Sequence, residues 1–332
     1  MLRVAINGCG RIGRCLVWAI HERGLQEQIQ LVAINDLVAQ DILAHLLRHD
    51  STHGHFKTPV TVVGDQLRIG EQSVLCLAEK DPAQLPWKSL GVDVVLECTG
   101  NLKQRSQLEQ HLQAGAGRVL VAYPVAEADR TLVYGVNHHT LTTEDRIISN
   151  ASCTTNCLAP IVQVLDQAFG LEQGQMTTIH SYTNDQNLVD KAHSDPYRAR
   201  AAAVNLIPSK TGAADAVGLV LPHLKGRLDG MAVRVPTLNV SMVDLHALLR
   251  EDTTVEAIDL AMQAAADNQL AGVLQVSHEP LVSSDFNHNP LSAIYDATQT
   301  RVMGRQVKVI AWYDNEWGFS NRMLDVLGLM AP

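Results

Sequence analysis

The segment Ala151-Ser152-Cys153-Thr154-Thr155-Asn156-Cys157 sets one cysteine among small polar residues, just ahead of an apolar helical pattern over residues 155–169. A thiol at a helix start meets free N–H groups and the positive end of the helix dipole. Both favour the thiolate and make the sulfur a nucleophile. Cys157 lies one turn further along and reads as a small interior group. His180 closes an apolar strand pattern at residues 175–180 and opens a long segment without sustained apolar periodicity. A strand end can hold a side chain rigidly and still face a cleft. His180 is therefore the candidate base for Cys153 and, when protonated, the counter-charge to its thiolate. A lone cysteine or histidine is more often structural, so the pair needs support elsewhere in the chain.

Gly8-Cys9-Gly10-Arg11-Ile12-Gly13 supplies it. The run fits G-x-G-x-x-G and lies between a strand pattern at 2–7 and a helix pattern at 11–22, the context that the motif requires. Gly8 permits a tight turn, Gly10 lets backbone approach a pyrophosphate, and Gly13 lets helix and strand pack closely. Arg11 and Ile12 open the helix whose free N–H groups face the phosphates. Asp36 follows the strand at 29–34, where an acidic residue binds the adenosine ribose. A carboxylate there repels a 2′-phosphate, so NAD is expected rather than NADP. Thr99-Gly100, ending the strand at 92–98, is either a further cofactor contact or a simple strand-ending turn. A cysteine nucleophile beside a dinucleotide site points to aldehyde oxidation. The thiolate adds to the carbonyl, the thiohemiacetal gives up a hydride, and a thioester remains.

Two kinds of element must position these residues. In the first half, strands at 2–7, 29–34, 92–98 and 118–122 alternate with helices at 11–22, 39–48 and 104–114. This predicts a Rossmann-type, mostly parallel sheet. Residues 58–79 alternate more finely and predict inserted antiparallel strands. In the second half, long strands at 230–235, 240–248 and 307–312 with few helices between them predict a mixed or antiparallel sheet. The fold class is thus α/β plus α+β. The expected domains are 1–151 for the cofactor and 152–314 for catalysis, the latter with a long loop at 181–210 that carries Thr183, Asp185, Arg198 and Arg200. The 332 residues suit two domains of roughly 100–200 residues each. A net charge of -9 disfavours a nucleic-acid or membrane-surface partner but leaves room for a small anionic substrate. No leader and no membrane-spanning run is expected. Six dispersed cysteines read as reduced cytoplasmic thiols, and no Cys/His spacing suggests a metal site.

At these residues the sequence resembles the glyceraldehyde-3-phosphate dehydrogenase family. The resemblance runs through Ile6–Arg14, Ala151–Cys157, His180–Gln186, Thr211–Ala214, Arg234–Thr237 and Trp312–Gly318 in order. It implies Cys153 as nucleophile and His180 as its base. It implies Thr183, Asp185 and Arg234 around the substrate phosphate, and Ser152, Thr154, Thr211 and Gly212 around inorganic phosphate. Asn315 would fix the nicotinamide amide. The family also implies a homotetramer and a C-terminal segment, 315–332, whose helix at about 321–330 returns to the cofactor domain.

Some stretches resemble erythrose-4-phosphate dehydrogenase instead: Asp285–Pro290, Thr298–Val302 and Gly318–Met323. Against this, that branch usually lacks the Thr and Asn that stand here as Thr183 and Asn184, so glyceraldehyde 3-phosphate is the expected substrate and erythrose 4-phosphate the alternative. A non-catalytic binding role has no motif of its own. Four features depart from the commonest family pattern: Cys9 for Phe, Phe319 for an aromatic hydroxyl, Ala122-Tyr123-Pro124 for Ser-Ala-Pro, and Tyr197 where Arg is frequent.

Overall fold

The computed structural model describes residues 1–331. The chain forms two compact units. One comprises residues 1–132, 138–151 and the described residues from 320 on; the other comprises 133–137 and 152–319.

The first unit begins with strand β1 (Leu2–Asn7), helix α1 (Arg11–Glu22), strand β2 (Ile29–Asn35) and helix α2 (Gln40–Arg48). Strands β3 (Val60–Val63), β4 (Gln66–Ile69) and β5 (Gln72–Leu77) follow, then β6 (Val94–Glu97), α3 (Arg105–Gln113), β7 (Arg118–Val121), β8 (Arg130–Thr131) and β9 (Ile147–Ser149). The sheet order is β8-β9-β7-β6-β1-β2-β5-β4-β3. β1 pairs in parallel with both β2 and β6. The chain thus builds outward from β1 in one direction and later returns to its other side. That reversal is the switch point where open α/β sheets bind ligands. Of the inserted strands, β4 is antiparallel to both β3 and β5, and β5 joins β2 in parallel.

The apolar runs in β1 and β6 are buried throughout, as parallel strands covered on both faces require. α1 buries Gly13, Leu16, Val17, Ala19 and Ile20. Gly13 shows how tightly this helix can seat. A Cβ there would lie 2.4 Å from the Gly8 carbonyl oxygen. Gly8 itself has φ of +87°, and a side chain on it would meet the Thr99 backbone at 2.8 Å. Gly10 differs, with nothing within 4 Å of the corresponding position.

The second unit is built on α4 (Cys153–Phe169), β10 (Leu171–Ser181), β11 (Ile207–Lys210), α5 (Ala213–Val220), β12 (Leu228–Val235) and β13 (Ser241–Leu249). It continues with α6 (Val255–Asp267), β14 (Leu274–Ser277), β15 (Ala293–Asp296), β16 (Arg301–Met303) and β17 (Gln306–Tyr313). Its sheet runs β11-β12-β10-β13-β17-β15-β14, with β16 on β17. It is mixed: β10 is parallel to β12 and antiparallel to β13. Along β13, Ser241, Val243, Leu245, Ala247 and Leu249 are buried, whereas His246 is exposed. α4 packs on this sheet and is itself buried from Thr154 to Val162.

Several boundaries differ from the sequence expectation. α4 starts at Cys153 rather than at 155, because the Ser152 hydroxyl caps the Thr155 N–H at 3.0 Å. The last helix, α7 (Trp317–Gly328), starts four residues earlier than 321. Asp314 Oδ1 accepts the N–H groups of Glu316 and Trp317, at 2.9 and 2.7 Å, and this fixes the early start. Residues 315–319 belong to the second unit; from Ser320 the chain belongs to the first, where Arg23 pairs with Asp325 at 2.6 Å. Residues 133–137, inside the span expected for the cofactor domain, join the second unit, since Gly135 lies against Leu270 and Val273. The long loop ends in order, with a 3-10 turn at Ala202–Val204 and then β11.

Gly13→Ala is expected to lower unfolding stability by about 1–3 kcal/mol, because its methyl must displace backbone. Gly10→Ala is expected to leave stability within about 0.5 kcal/mol, since it points into open space. Thermal or urea unfolding of both variants checks the contrast.

Candidate active site

In the second unit, Cys153 occupies the first position of α4 and His180 lies near the end of β10. Sγ of Cys153 stands 3.5 Å from Nε2 of His180. The other ring nitrogen, Nδ1, lies 2.7 Å from the Ser181 carbonyl oxygen. That separation requires a proton between them, so Nδ1 carries the hydrogen and donates to Ser181. Nε2 is then a free acceptor facing the thiol. Arg234 Nη1 lies 3.0 Å from Nδ1, and it donates to the Ser181 carbonyl at 3.1 Å and to Thr183 Oγ1 at 3.4 Å.

The charges differ from the expected thiolate. Burial, aided by Arg234 and Arg198, pushes His180 down to about 3, against the opposing bond to Ser181. Cys153 keeps some solvent exposure, yet the protein crowded around it pushes its thiol up, while Arg234 and Thr154 pull it back. The helix start does not outweigh burial, so the resting pair is a neutral thiol facing a neutral imidazole. Such a pair works by general base catalysis, with proton transfer to Nε2 as sulfur attacks.

The remaining residues sort into groups. Thr183 lies beside Arg234. Asp185 pairs with Arg198, which also donates to the Lys210 carbonyl at 3.2 Å. Thr211 and Gly212 open α5, and the Thr155 hydroxyl donates to the Ala213 carbonyl at 3.3 Å, tying the α5 start to the α4 start. Two helix N-termini thus lie together, an arrangement that favours an anion. The Ser152 hydroxyl is occupied at 2.7 Å by Thr155 Oγ1. The Thr154 hydroxyl is turned inward to Tyr313, so neither side chain points freely toward an anion. Asn315 presents its carbonyl oxygen to the Ser181 and Ser241 hydroxyls, at 2.9 and 2.8 Å, which orients its amide.

Tyr313 carried no role in the sequence reading. It is buried, its hydroxyl lies 2.8 Å from both Thr154 Oγ1 and Thr178 Oγ1, and its ring meets His180 edge-on at 6.0 Å. The strand expected at 307–312 stopped one residue short of it, and nothing local revealed its partners. Arg234 against His180 was likewise out of reach, because it depends on strand register.

In the first unit, the Asp36 carboxylate receives the Cys9 N–H at 2.7 Å and the Val38 N–H at 3.1 Å. It is thereby fixed at the glycine turn. Thr99 abuts Gly8, and its N–H donates to Glu97 at 2.8 Å. Gly100 has φ of +71°. Thr99-Gly100 is therefore both a strand-ending turn and a neighbour of the glycine loop. The open space at Gly10, the adjacent start of α1 and the fixed Asp36 fit a dinucleotide.

Two outcomes follow. Arg234→Leu removes the cation that lowers the Cys153 thiol. The midpoint of the pH dependence of Cys153 alkylation by iodoacetamide is expected to move upward. Asp36→Ser is expected to raise the ratio of NADP to NAD efficiency by about tenfold, as repulsion of the 2′-phosphate is lost. The ratio of kcat/KM values for the two cofactors measures it.

Residues 2–105 match the family model described as glyceraldehyde 3-phosphate dehydrogenase, NAD binding domain. Residues 152–315 match the one described as glyceraldehyde 3-phosphate dehydrogenase, C-terminal domain. Glyceraldehyde-3-phosphate dehydrogenase of Pseudomonas aeruginosa is 55% identical over 98% of this chain and 96% of its own. The enzyme of Cereibacter sphaeroides is 56% identical over 98% and 97%. The chromosomal enzyme of Cupriavidus necator is 54% identical over 99% and 98%. With both halves matched and relatives this similar over nearly the whole length, the chain belongs to the glyceraldehyde-3-phosphate dehydrogenase family.

Proposed function

We propose that this chain oxidises glyceraldehyde 3-phosphate in the presence of inorganic phosphate, giving 1,3-bisphosphoglycerate, with NAD as cofactor. The observation that carries the reading is the cluster of Cys153, His180, Arg234 and Thr183, which sets a thiol and its base beside a cation and a hydroxyl. NAD, when bound, accepts the hydride released from the aldehyde carbon. Gly8, Gly10, Arg11, Ile12, Gly13, Asp36, Thr99 and Gly100 would hold it, with Asn315 for its nicotinamide amide.

The chain's own residues supply the rest. Sγ of Cys153 attacks the carbonyl carbon while its proton passes to Nε2 of His180, which hands it to the carbonyl oxygen to form the thiohemiacetal hydroxyl and is neutral again. His180 then removes the proton of the thiohemiacetal hydroxyl as hydride departs, leaving a thioester on Cys153. Inorganic phosphate, near the starts of α4 and α5 with Thr211 and Gly212, attacks the thioester and releases the acyl phosphate. The departing sulfur takes the proton held on Nε2 of His180, and the free thiol returns. Ser152 and Thr154 serve here through their place in the helix start rather than through free hydroxyls.

Arg234 has two tasks in this scheme. It meets the substrate phosphate together with Thr183, and it suppresses protonation of His180. A bound phosphate offsets its charge and raises the basicity of His180, so the substrate helps to activate its own base. Asp185 acts by holding Arg198 at the same edge.

Erythrose 4-phosphate is not favoured. Relatives between 50% and 56% identical carry the glyceraldehyde-3-phosphate dehydrogenase name, and Thr183 stands beside Arg234 as a phosphate site needs. A homotetramer is consistent with exposed apolar residues on β12 and β16, Met231 and Met303, and in the loop, Leu188, Val189, Val204 and Leu206. A cytoplasmic setting is consistent with six cysteines that form no disulfide among the described residues. No helix among the described residues is long and apolar enough to cross a membrane.

The deciding experiment compares kcat/KM for glyceraldehyde 3-phosphate and erythrose 4-phosphate with NAD, with and without phosphate. The three-carbon aldehyde should be preferred and phosphate should stimulate turnover. Preference for erythrose 4-phosphate without phosphate stimulation would overturn the reading. His180→Asn should lower kcat by about 10²–10⁴-fold. Unphosphorylated glyceraldehyde should show a lower kcat as well as a higher KM, because it leaves Arg234 uncompensated.

A further inference from the structure

The carboxyl edge of the first sheet carries a row of buried polar side chains that the catalytic scheme does not use. Asn35, Asn7 and Glu97 end β2, β1 and β6 and lie in register with one another. All three are buried, Glu97 completely. Asn35 Nδ2 donates to Asn7 Oδ1 at 2.7 Å, and Asn7 Nδ2 donates to Glu97 Oε2 at 2.6 Å. From α3, His111 places Nε2 3.1 Å from the same oxygen. Trp87 Nε1, which can only donate, lies 3.0 Å from His111 Nδ1. Nδ1 is therefore the acceptor, and the ring proton sits on Nε2 and points at Glu97.

The other carboxylate oxygen, Oε1, receives the Thr99 N–H at 2.8 Å and the Thr99 hydroxyl. The Tyr123 hydroxyl lies 3.2 Å from it. Asn7, His111 and two groups of Thr99 thus all donate to one buried side chain, which serves them as an ionised carboxylate. Burial raises its proton affinity, but the bonds from His111, Thr99 and Asn7 outweigh burial and hold the carboxyl below its usual range. A buried anion is costly, and these charge-assisted bonds offset that cost.

Both ends of this network meet the glycine turn. Thr99 is β-branched, so holding its hydroxyl on Glu97 also fixes its methyl. That methyl packs on Gly8: a Cβ there would lie 2.9 Å from Thr99 Cγ2 and 2.8 Å from the Thr99 nitrogen. Asn7 immediately precedes Gly8, and its carbonyl accepts the Cys98 N–H at 2.8 Å. The Gly8 N–H itself donates to the Asn35 carbonyl at 2.9 Å. Glu97 therefore ties down the residue before the turn and the residue packed against it.

We propose that Glu97 is a positioning residue for NAD: its carboxylate locks Asn7 and Thr99 around Gly8 and holds the glycine turn in the shape that receives the pyrophosphate. Glu97 acts through the turn and takes no part in hydride transfer. A turn preorganised in this way leaves little ordering to oppose the ligand. An amide cannot replace the carboxylate, because its NH₂ would set a donor against donors. The proposal rests on the reading of the glycine turn as the dinucleotide site.

The test uses the full-length protein freed of nucleotide, titrated by calorimetry with NAD and with ADP-ribose, which lacks the nicotinamide. The parent should bind both; a parent that binds neither would overturn the dinucleotide reading itself. Glu97→Gln should weaken both ligands by the same factor, about tenfold or more. Its nucleotide-free Cys153 should react with iodoacetamide at the parental rate, which separates a local loss from a general loosening of the fold. Parental NAD affinity in folded Glu97→Gln protein would sink the proposal, and so would a loss for NAD without one for ADP-ribose. Thr99→Val keeps the side-chain shape and removes only the hydroxyl bond. It should weaken NAD as well, and should add little when combined with Glu97→Gln. Fully additive losses would show that Glu97 does not act through Thr99, against the proposal. Should Glu97→Gln not fold, parental NAD affinity in Thr99→Val decides against it alone.

Discussion

Parallel pairing of β10 with β12 in one register puts His180 directly opposite Arg234. A shift of one residue would turn alternate side chains to the other face and separate imidazole from guanidinium. The same pairing aligns Ser181 with Val235 and leaves the Ser181 carbonyl to receive both the His180 ring proton and Arg234. The tautomer of His180 is therefore a consequence of sheet register, and so is the availability of Nε2 to Cys153. On the other side of β10, β13 contributes Ser241, whose hydroxyl reaches Asn315. One strand thus organises the base, the cation and the amide.

The electrostatic outcome follows from that geometry. A cation 3.0 Å from an imidazole, inside a crowded site, opposes a second positive charge. The resting base is neutral, and the thiol beside it keeps its proton. Attack then depends on proton transfer within the pair rather than on a standing thiolate. Arg234 pulls both groups toward their unprotonated forms, which for sulfur is the nucleophilic form and for nitrogen the accepting form.

Much of this was legible in the sequence where the signal is local. The glycine run, Asp36 and the polar surroundings of Cys153 depend on neighbours within a turn or a strand end. Their structural context matches: the glycine run opens α1 and Cys153 opens α4. What escaped depends on pairing between distant segments. The Tyr313 hydroxyl between Thr154 and Thr178 requires β17, β10 and the α4 start to meet. The partnership of Asp185 with Arg198 requires the loop to fold back on itself. Residues 133–137 gave no hint that they would pack on Leu270 and Val273. The early start of α7 was local, because Asp314 has the chemistry of a helix cap, but the expected helix was taken from the family resemblance.

The four departures from the family pattern can be weighed by where they fall. Cys9 is buried, and it is its backbone N–H that meets Asp36, so the change of side chain leaves that bond intact. Phe319 is buried within α7, where an apolar ring is at home without a hydroxyl partner. Tyr123 uses its hydroxyl inside the first unit, where it lies within hydrogen-bond reach of Glu97 at 3.2 Å and the Leu102 carbonyl at 3.1 Å. Tyr197 matters most, because it stands where a cation is frequent beside the phosphates. Its side chain is exposed, whereas the next residue, Arg198, is partly buried, pairs with Asp185 and lowers the proton affinity of His180. The positive charge is kept within one residue of its usual place, and it acts on the same imidazole as Arg234.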